Sequence, residues 1–218
     1  MSLVSFTRTE DDLAFLKPVV GTAWTKNNSP AYATGYFGNG LSIGDTSYAL
    51  AEVPTHTKAI TGANLFTIEF WFKPAWNSGT VARSIINDNI SGNSNDIASG
   101  TDGKITCYLF NPYPTNGILY VFNSPSFVAG TWYRVAFVVD NSLGNGERLS
   151  LYVNGTEIGV SSYTHFGTGI TGNINLTMFG VLRSYAVMDN IKIYNHAKRD
   201  FLDMFDERGG LNDQIMIG

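Results

Sequence analysis

Apolar residues recur at every second position along most of this chain. In Leu65 to Lys73, Phe66, Ile68, Phe70 and Phe72 fall on one face, and Thr67, Glu69, Trp71 and Lys73 on the other. That alternation predicts a strand with one face in a core and the other half open. Trp132 to Val139 is apolar on both faces apart from Arg134, which predicts a central strand covered on both sides. A polar, glycine-rich turn over Asp140 to Gly146 leads into a second alternating run, Leu149 to Val153. Asn154-Gly155 then predicts a tight hairpin, because both central positions of a type I′ turn need positive φ, and Glu157 to Val160 would return. Further strands are expected at about 36–43, 47–53, 82–86, 104–110, 117–122, 174–180 and 186–194. A helical period occurs near the end, in roughly 197–207, where Ala197, Phe201, Leu202 and Phe205 recur at three- and four-residue spacing before Gly209-Gly210. The pattern predicts an all-β, two-sheet antiparallel sandwich with a short C-terminal helix. With neither an internal repeat nor a linker, residues 1–218 are expected to form a single domain.

Composition narrows the function. Charged residues make up 15% of the chain, the formal net charge is −4, and no lysine or arginine cluster occurs, so nucleic acid is not an expected partner. No run approaches the ~18 apolar residues of a membrane span, and the N-terminus lacks a basic-then-apolar secretory pattern. Cys107 is the one cysteine; in the strand-like run Ile105 to Phe110 it reads as a buried, inert thiol.

Four segments, taken in order, resemble the concanavalin A-like lectin/glucanase superfamily in its laminin-G-like (pentraxin-like) branch. Gly35-Tyr36-Phe37-Gly38-Asn39-Gly40-Leu41-Ser42-Ile43 followed by Tyr48 resembles an early "G-x-F-G-N-A-L-x-F … Y-V" segment. Phe66 to Pro74 is similar to "F-T-x-x-x-W-x-x-P". Trp132 to Ala136, Asp140, and Leu151 to Gly155 resemble "W-x-H-V-A … D … L-Y-V-N/D-G". Met188 to Asn195, with the expected helix, resembles "D-D/E-V-R-I-Y-N-R-A-L". Together they span residues 35–205, and the first 34 residues match poorly. The resemblance implies a jelly roll with loops clustered at one rim.

Candidate chemistry follows from that resemblance. Superfamily enzymes that cleave β-glucans carry E-x-D-x-x-E on one strand, which gives a nucleophile and an acid at retaining separation. This chain has no such run: Glu69 stands alone, with Trp71 and Lys73 as same-face neighbours. It reads as a solvated or salt-bridged groove residue, and the histidines show no metal-ligand spacing. Many relatives hold one Ca²⁺ with the acid that opens the last strand, and Asp189 matches that position. Asp189 reads equally as a turn cap or as a partner of Arg183 or Arg199; Asp45 and the Asp11-Asp12 pair are candidate early-loop co-ligands. Asn87 to Gly92 mimics the start of a calcium loop but has Ala98 where the acid belongs, so it reads as a loop. Trp76 and Tyr113, in loop-like surroundings, are candidate sugar-stacking rings, and Trp71 is a candidate lining of a groove.

The expected function is a non-catalytic module that recognises a carbohydrate or protein surface through rim loops or the concave sheet. Calcium is the candidate structural ion. The expected location is extracellular, on a cell surface or on a virion. The alternatives are a structural or adhesion component of such an assembly and, behind it, a divergent glycan hydrolase or lyase.

Overall fold

The computed structural model describes residues 3–7, 25–27, 31–43, 55–60, 65–88, 95–110, 115–144, 146–167, 174–178 and 185–201. These residues form sixteen strands: β1 (Leu3–Thr7), β2 (Thr25–Asn27), β3 (Ala31–Thr34), β4 (Asn39–Ile43), β5 (Thr55–Ile60), β6 (Leu65–Pro74), β7 (Arg83–Asp88), β8 (Asn95–Ser99), β9 (Ile105–Phe110), β10 (Gly117–Phe122), β11 (Tyr133–Asp140), β12 (Leu149–Val153), β13 (Thr156–Ile158), β14 (Val160–Phe166), β15 (Ile174–Met178) and β16 (Ala186–Tyr194). They make two eight-stranded antiparallel sheets. The first runs β13-β12-β11-β6-β16-β4-β3, with β1 also paired to β16; the second runs β14-β10-β9-β8-β7-β15-β5-β2. No helix among the described residues is long and apolar enough to cross a membrane.

The alternating residues build the core between the sheets. Phe66, Ile68, Phe70 and Phe72 of β6 meet Val135, Phe137 and Val139 of β11 on one side, and Ile105, Cys107, Ile118, Tyr120 and Phe122 on the other. Asn154 and Gly155 take φ of 50° and 80°, the left-handed values a two-residue hairpin requires. The returning strand is shorter than the sequence pattern implies. Thr156–Ile158 pairs with β12, Gly159 interrupts, and the chain crosses to the second sheet as β14.

Several sequence expectations change. The strand expected at 36–43 begins only at Asn39, as β4; residues 35–38 turn the chain back onto β3, which precedes the expected segment. β8 had no alternation to reveal it, since Ile97 is its one large apolar residue; hydrogen bonding between β7 and β9 defines it. The expected helix is absent over residues 197–201, and its remaining positions, 202–207, lie outside the described residues, as do the strand expected at 47–53 and Asn89 to Gly92. Over residues 197–201 the reason is tertiary. Thr67 Oγ1 donates to the His196 carbonyl (2.8 Å) and accepts from the Lys198 N–H (2.9 Å). These two bonds tie the backbone at residues 196 and 198 to the sheet. The apolar spacing of Ala197 and Phe201 still serves burial: both pack with Ala136, Val138 and Tyr152 on the outer face of the first sheet. That face of β6 is therefore closed, not half open as expected: Thr67, Glu69 and Trp71 are all buried.

Cys107 is fully buried in the core. Desolvation, reinforced by the Asp96 carboxylate, pushes its thiol well above the ordinary value. Iodoacetamide at mildly alkaline pH should leave the native protein unmodified and alkylate it once unfolded, as read by intact mass; rapid labelling of the native state would contradict this packing.

Candidate functional site

The outer row of β6 carries Thr67, Glu69, Trp71 and Lys73, and register determines what each meets. Ala136 and Lys192 flank Glu69, and Arg134 and Asp189 flank Trp71. Glu69, 1% exposed, forms an ion pair with the Arg134 guanidinium and receives the Lys198 ammonium at 3.1 Å. A lone carboxylate at this depth would be costly, and two cations compensate it. Trp71 is covered by Tyr36, whose ring stacks on it with centroids 3.7 Å apart and 9° between planes. The Arg134 guanidinium carbon lies 6.0 Å from the same indole.

Asp189 closes the other side of this layer. Its Oδ2 accepts from the Phe37 N–H and its Oδ1 from the Asn190 N–H, both at 2.7 Å. The carboxylate thus anchors the turn over residues 35–38. Glycine at position 35 is required by the approach itself, because a Cβ there would stand 2.6 Å from Asp189 Oδ2 and 2.8 Å from the Gly40 nitrogen. A bulge follows Asp189, with Asn190 at φ 46°. Among the described residues no group of three Asp, Glu, His or Cys side chains is placed to hold a metal ion. Asp11, Asp12, Asp45 and Arg183 lie outside the described residues, and Arg199 pairs with Asp140 at 3.8 Å.

The structure therefore gathers Glu69, Trp71 and Asp189 on one face, but as a packed layer and not as an open groove. Trp76 is also corrected. Its ring is 4% exposed and sits edge-on to Phe72 and Phe127, so this loop aromatic folds back to seal the end of the core. Tyr113 lies outside the described residues.

An open cleft of about 430 Å³ lies at the end of β6, where its outer row leaves this layer. Lys73, Val187 and Ser42 form its floor as one cross-strand row over β6, β16 and β4. Its walls are Pro74-Ala75, Ala129-Gly130 and Tyr185-Ala186. Backbone hydrogen bonds tie these three rim segments together, from the Ala75 N–H to the Tyr185 carbonyl (2.9 Å) and from the Gly130 N–H to the Pro74 carbonyl (2.7 Å). The cleft is thus pre-formed. Tyr185 takes φ 40° and remains 42% exposed, which presents its ring at the rim. Sequence reading missed this residue, because a lone tyrosine ahead of an apolar strand carries no periodic signal. Tyr108, also missed, is 37% exposed. Its signal was available: it alternates out of phase with the buried Ile105, Cys107 and Leu109.

Replacing Glu69 with Gln should leave Arg134 and Lys198 without a compensating charge, at a cost of about 3 kcal/mol in urea unfolding. A neutral result would mean the layer does not depend on that carboxylate.

Comparison with known proteins places this geometry. No curated protein matches the sequence. Among solved structures, the binding domain of Paraclostridial Mosquitocidal Protein 1 superposes with a TM-score of 0.58 at 14% identity, covering 90% of this chain and 49% of that one. The botulinum neurotoxin type G receptor binding domain gives 0.58 at 12% identity, covering 91% and 49%. This chain thus spans about half the length of these toxin domains. Domain 4 of AbnA, a GH43 extracellular arabinanase from Geobacillus stearothermophilus, in complex with arabinotriose, gives 0.56 at 17% identity, covering 90% and 93%. At such identities the likeness is one of fold: two antiparallel sheets packed as a jelly-roll sandwich. A sequence model of the concanavalin A-like lectin/glucanases superfamily matches residues 44–200. That match spans most of the strands described above, and the chain belongs to the concanavalin A-like lectin/glucanase superfamily, in its laminin-G-like branch.

Proposed function

We propose that this protein is an extracellular, non-catalytic glycan-binding module whose ligand sits in the rim cleft between Tyr185 and Lys73. The observation that carries the reading is the cleft itself: a pre-formed, largely apolar depression with one exposed ring and a few polar groups. Sugars suit such a place, because their C–H faces stack on an aromatic ring while hydroxyls take neighbouring polar groups. Ser42 supplies a hydroxyl, and the tied rim segments limit the ordering cost of binding. The non-catalytic part of the reading follows the missing E-x-D-x-x-E run in the sequence. Glu69, on the same face of β6 as Lys73, is buried in ion pairs. Fold relatives point the same way, since the AbnA domain is in complex with arabinotriose and the toxin domains are named for binding.

A glycan array probed with the purified protein should show binding. Tyr185→Ala should weaken it about tenfold, the loss of one ring contact, while Tyr108→Ala, on the second sheet, should leave it unchanged. A blank array together with a stable oligomer in light scattering would instead favour a structural or adhesion role.

Calcium belongs to the same proposal as a structural ion. Asp189 supplies one hard oxygen. The next residue, Asn190, carries a buried Oδ1 with no hydrogen-bond partner among the described residues. Melting should then rise in ~1 mM calcium over EDTA for the wild type and not for Asp189→Asn. Identical melting of the wild type in both buffers would remove calcium from the reading.

A further inference from the structure

We infer that the rim cleft selects a saccharide bearing a carboxylate, and that Lys73 is the group that reads the charge. The inference rests on the glycan-binding reading above and deepens it. Lys73 is the one charged side chain among the described residues lining the cleft. Its ammonium stands 4.9 Å from the centroid of the Trp132 ring. It forms no ion pair with a carboxylate among the described residues, in contrast to Lys198, which spends its charge on Glu69. The nearest acid in register is Asp189, one row further along β16, and both its oxygens already accept backbone N–H bonds. Lys73 thus faces a recess whose other described lining residues are apolar or neutral.

That arrangement is specific in its physics. An ammonium leaning on an indole is held in position at one side, while its N–H donors remain free for an anion. Apolar walls lower the local dielectric, so one charge-assisted hydrogen bond counts for more here than on open surface. Trp132 is itself fixed edge-on to Tyr36, 5.7 Å away, and Tyr36 is stacked on Trp71. The cation is therefore positioned by the same buried layer that closes the sheet.

The number of charges distinguishes the anion. Polyanions such as sulfated glycans are captured by clustered basic residues, whose summed field attracts them from a distance. This chain has a net charge of −4, and among the described residues its cleft lining holds a single lysine. The geometry fits short-range recognition of one carboxylate on a sugar ring stacked against Tyr185.

The test compares acidic sugars with neutral counterparts of the same backbone: oligogalacturonate against its carboxyl-reduced form, and sialyllactose against lactose, by titration calorimetry on the full chain. At least one acidic member should bind about tenfold tighter than its neutral partner, the worth of one charge-assisted hydrogen bond. Lys73→Gln should bring the affinity for the acidic member down to that for its neutral partner, and Lys73→Arg should retain the preference. Equal affinity for acidic and neutral members, or a preference that survives Lys73→Gln, overturns the charge reading and leaves glycan binding intact. Stronger binding of sulfated oligosaccharides than of carboxylated ones also overturns it. Failure to bind any saccharide overturns both readings together.

Discussion

Burial of β6 on both faces is the constraint from which the rest of this structure follows. Its inner face carries four large apolar residues and drives the two sheets together through ordinary apolar burial. Its outer face carries Glu69, whose carboxylate cannot be taken out of water alone, so two cations must come with it. Arg134 arrives by register from β11, while Lys198 arrives only if the chain after β16 folds back across the sheet. Thr67 makes that return possible by exchanging hydrogen bonds with the backbone at residues 196 and 198. Phe201 and Ala197 then complete a small second core over Ala136, Val138 and Tyr152.

Closing the middle of the first sheet moves ligand access to its end. Glu69, Trp71 and Asp189 are all consumed in holding the layer together, and Tyr36 lies over it like a tile. The outer row opens where β6 runs out at Lys73 and Pro74, and there three rim segments are tied by backbone hydrogen bonds into a cleft. Rigidity and opening therefore have one origin. The layer that excludes a ligand from the sheet's centre orients the side chains available at its rim.

Aromatic residues illustrate how far local surroundings can mislead. Trp76 lies in a stretch of Pro, Ala, Asn, Ser and Gly, the composition of an exposed loop, yet its ring fills the end of the core against Phe72 and Phe127. Tyr185 has no such loop signature and is left at the surface. The difference lies in geometry. Trp76 follows directly on the inward-facing end of β6, whereas the left-handed backbone at Tyr185 turns its side chain outward at the bottom of β16.

Period-two patterning by itself determined the class of fold, the inward face of β6, the doubly covered β11 and the Asn154-Gly155 hairpin. Each of these depends on interactions within one strand or across one turn. Cys107 as an inert core thiol was legible for the same reason. The four ordered segments were enough to identify the branch of the superfamily. Tertiary structure alone decided what covers the outer face, because that depends on pairing Thr67 and Glu69 with residues about 130 positions away. It also decided that residues 197–201 would spend their apolar spacing on a sheet instead of a helix. The cleft was invisible in sequence for a similar reason: Ser42, Lys73, Ala129 and Tyr185 belong to four separated segments. Their proximity is created by strand register and by hydrogen bonds between rims, and no periodicity along a single segment encodes either.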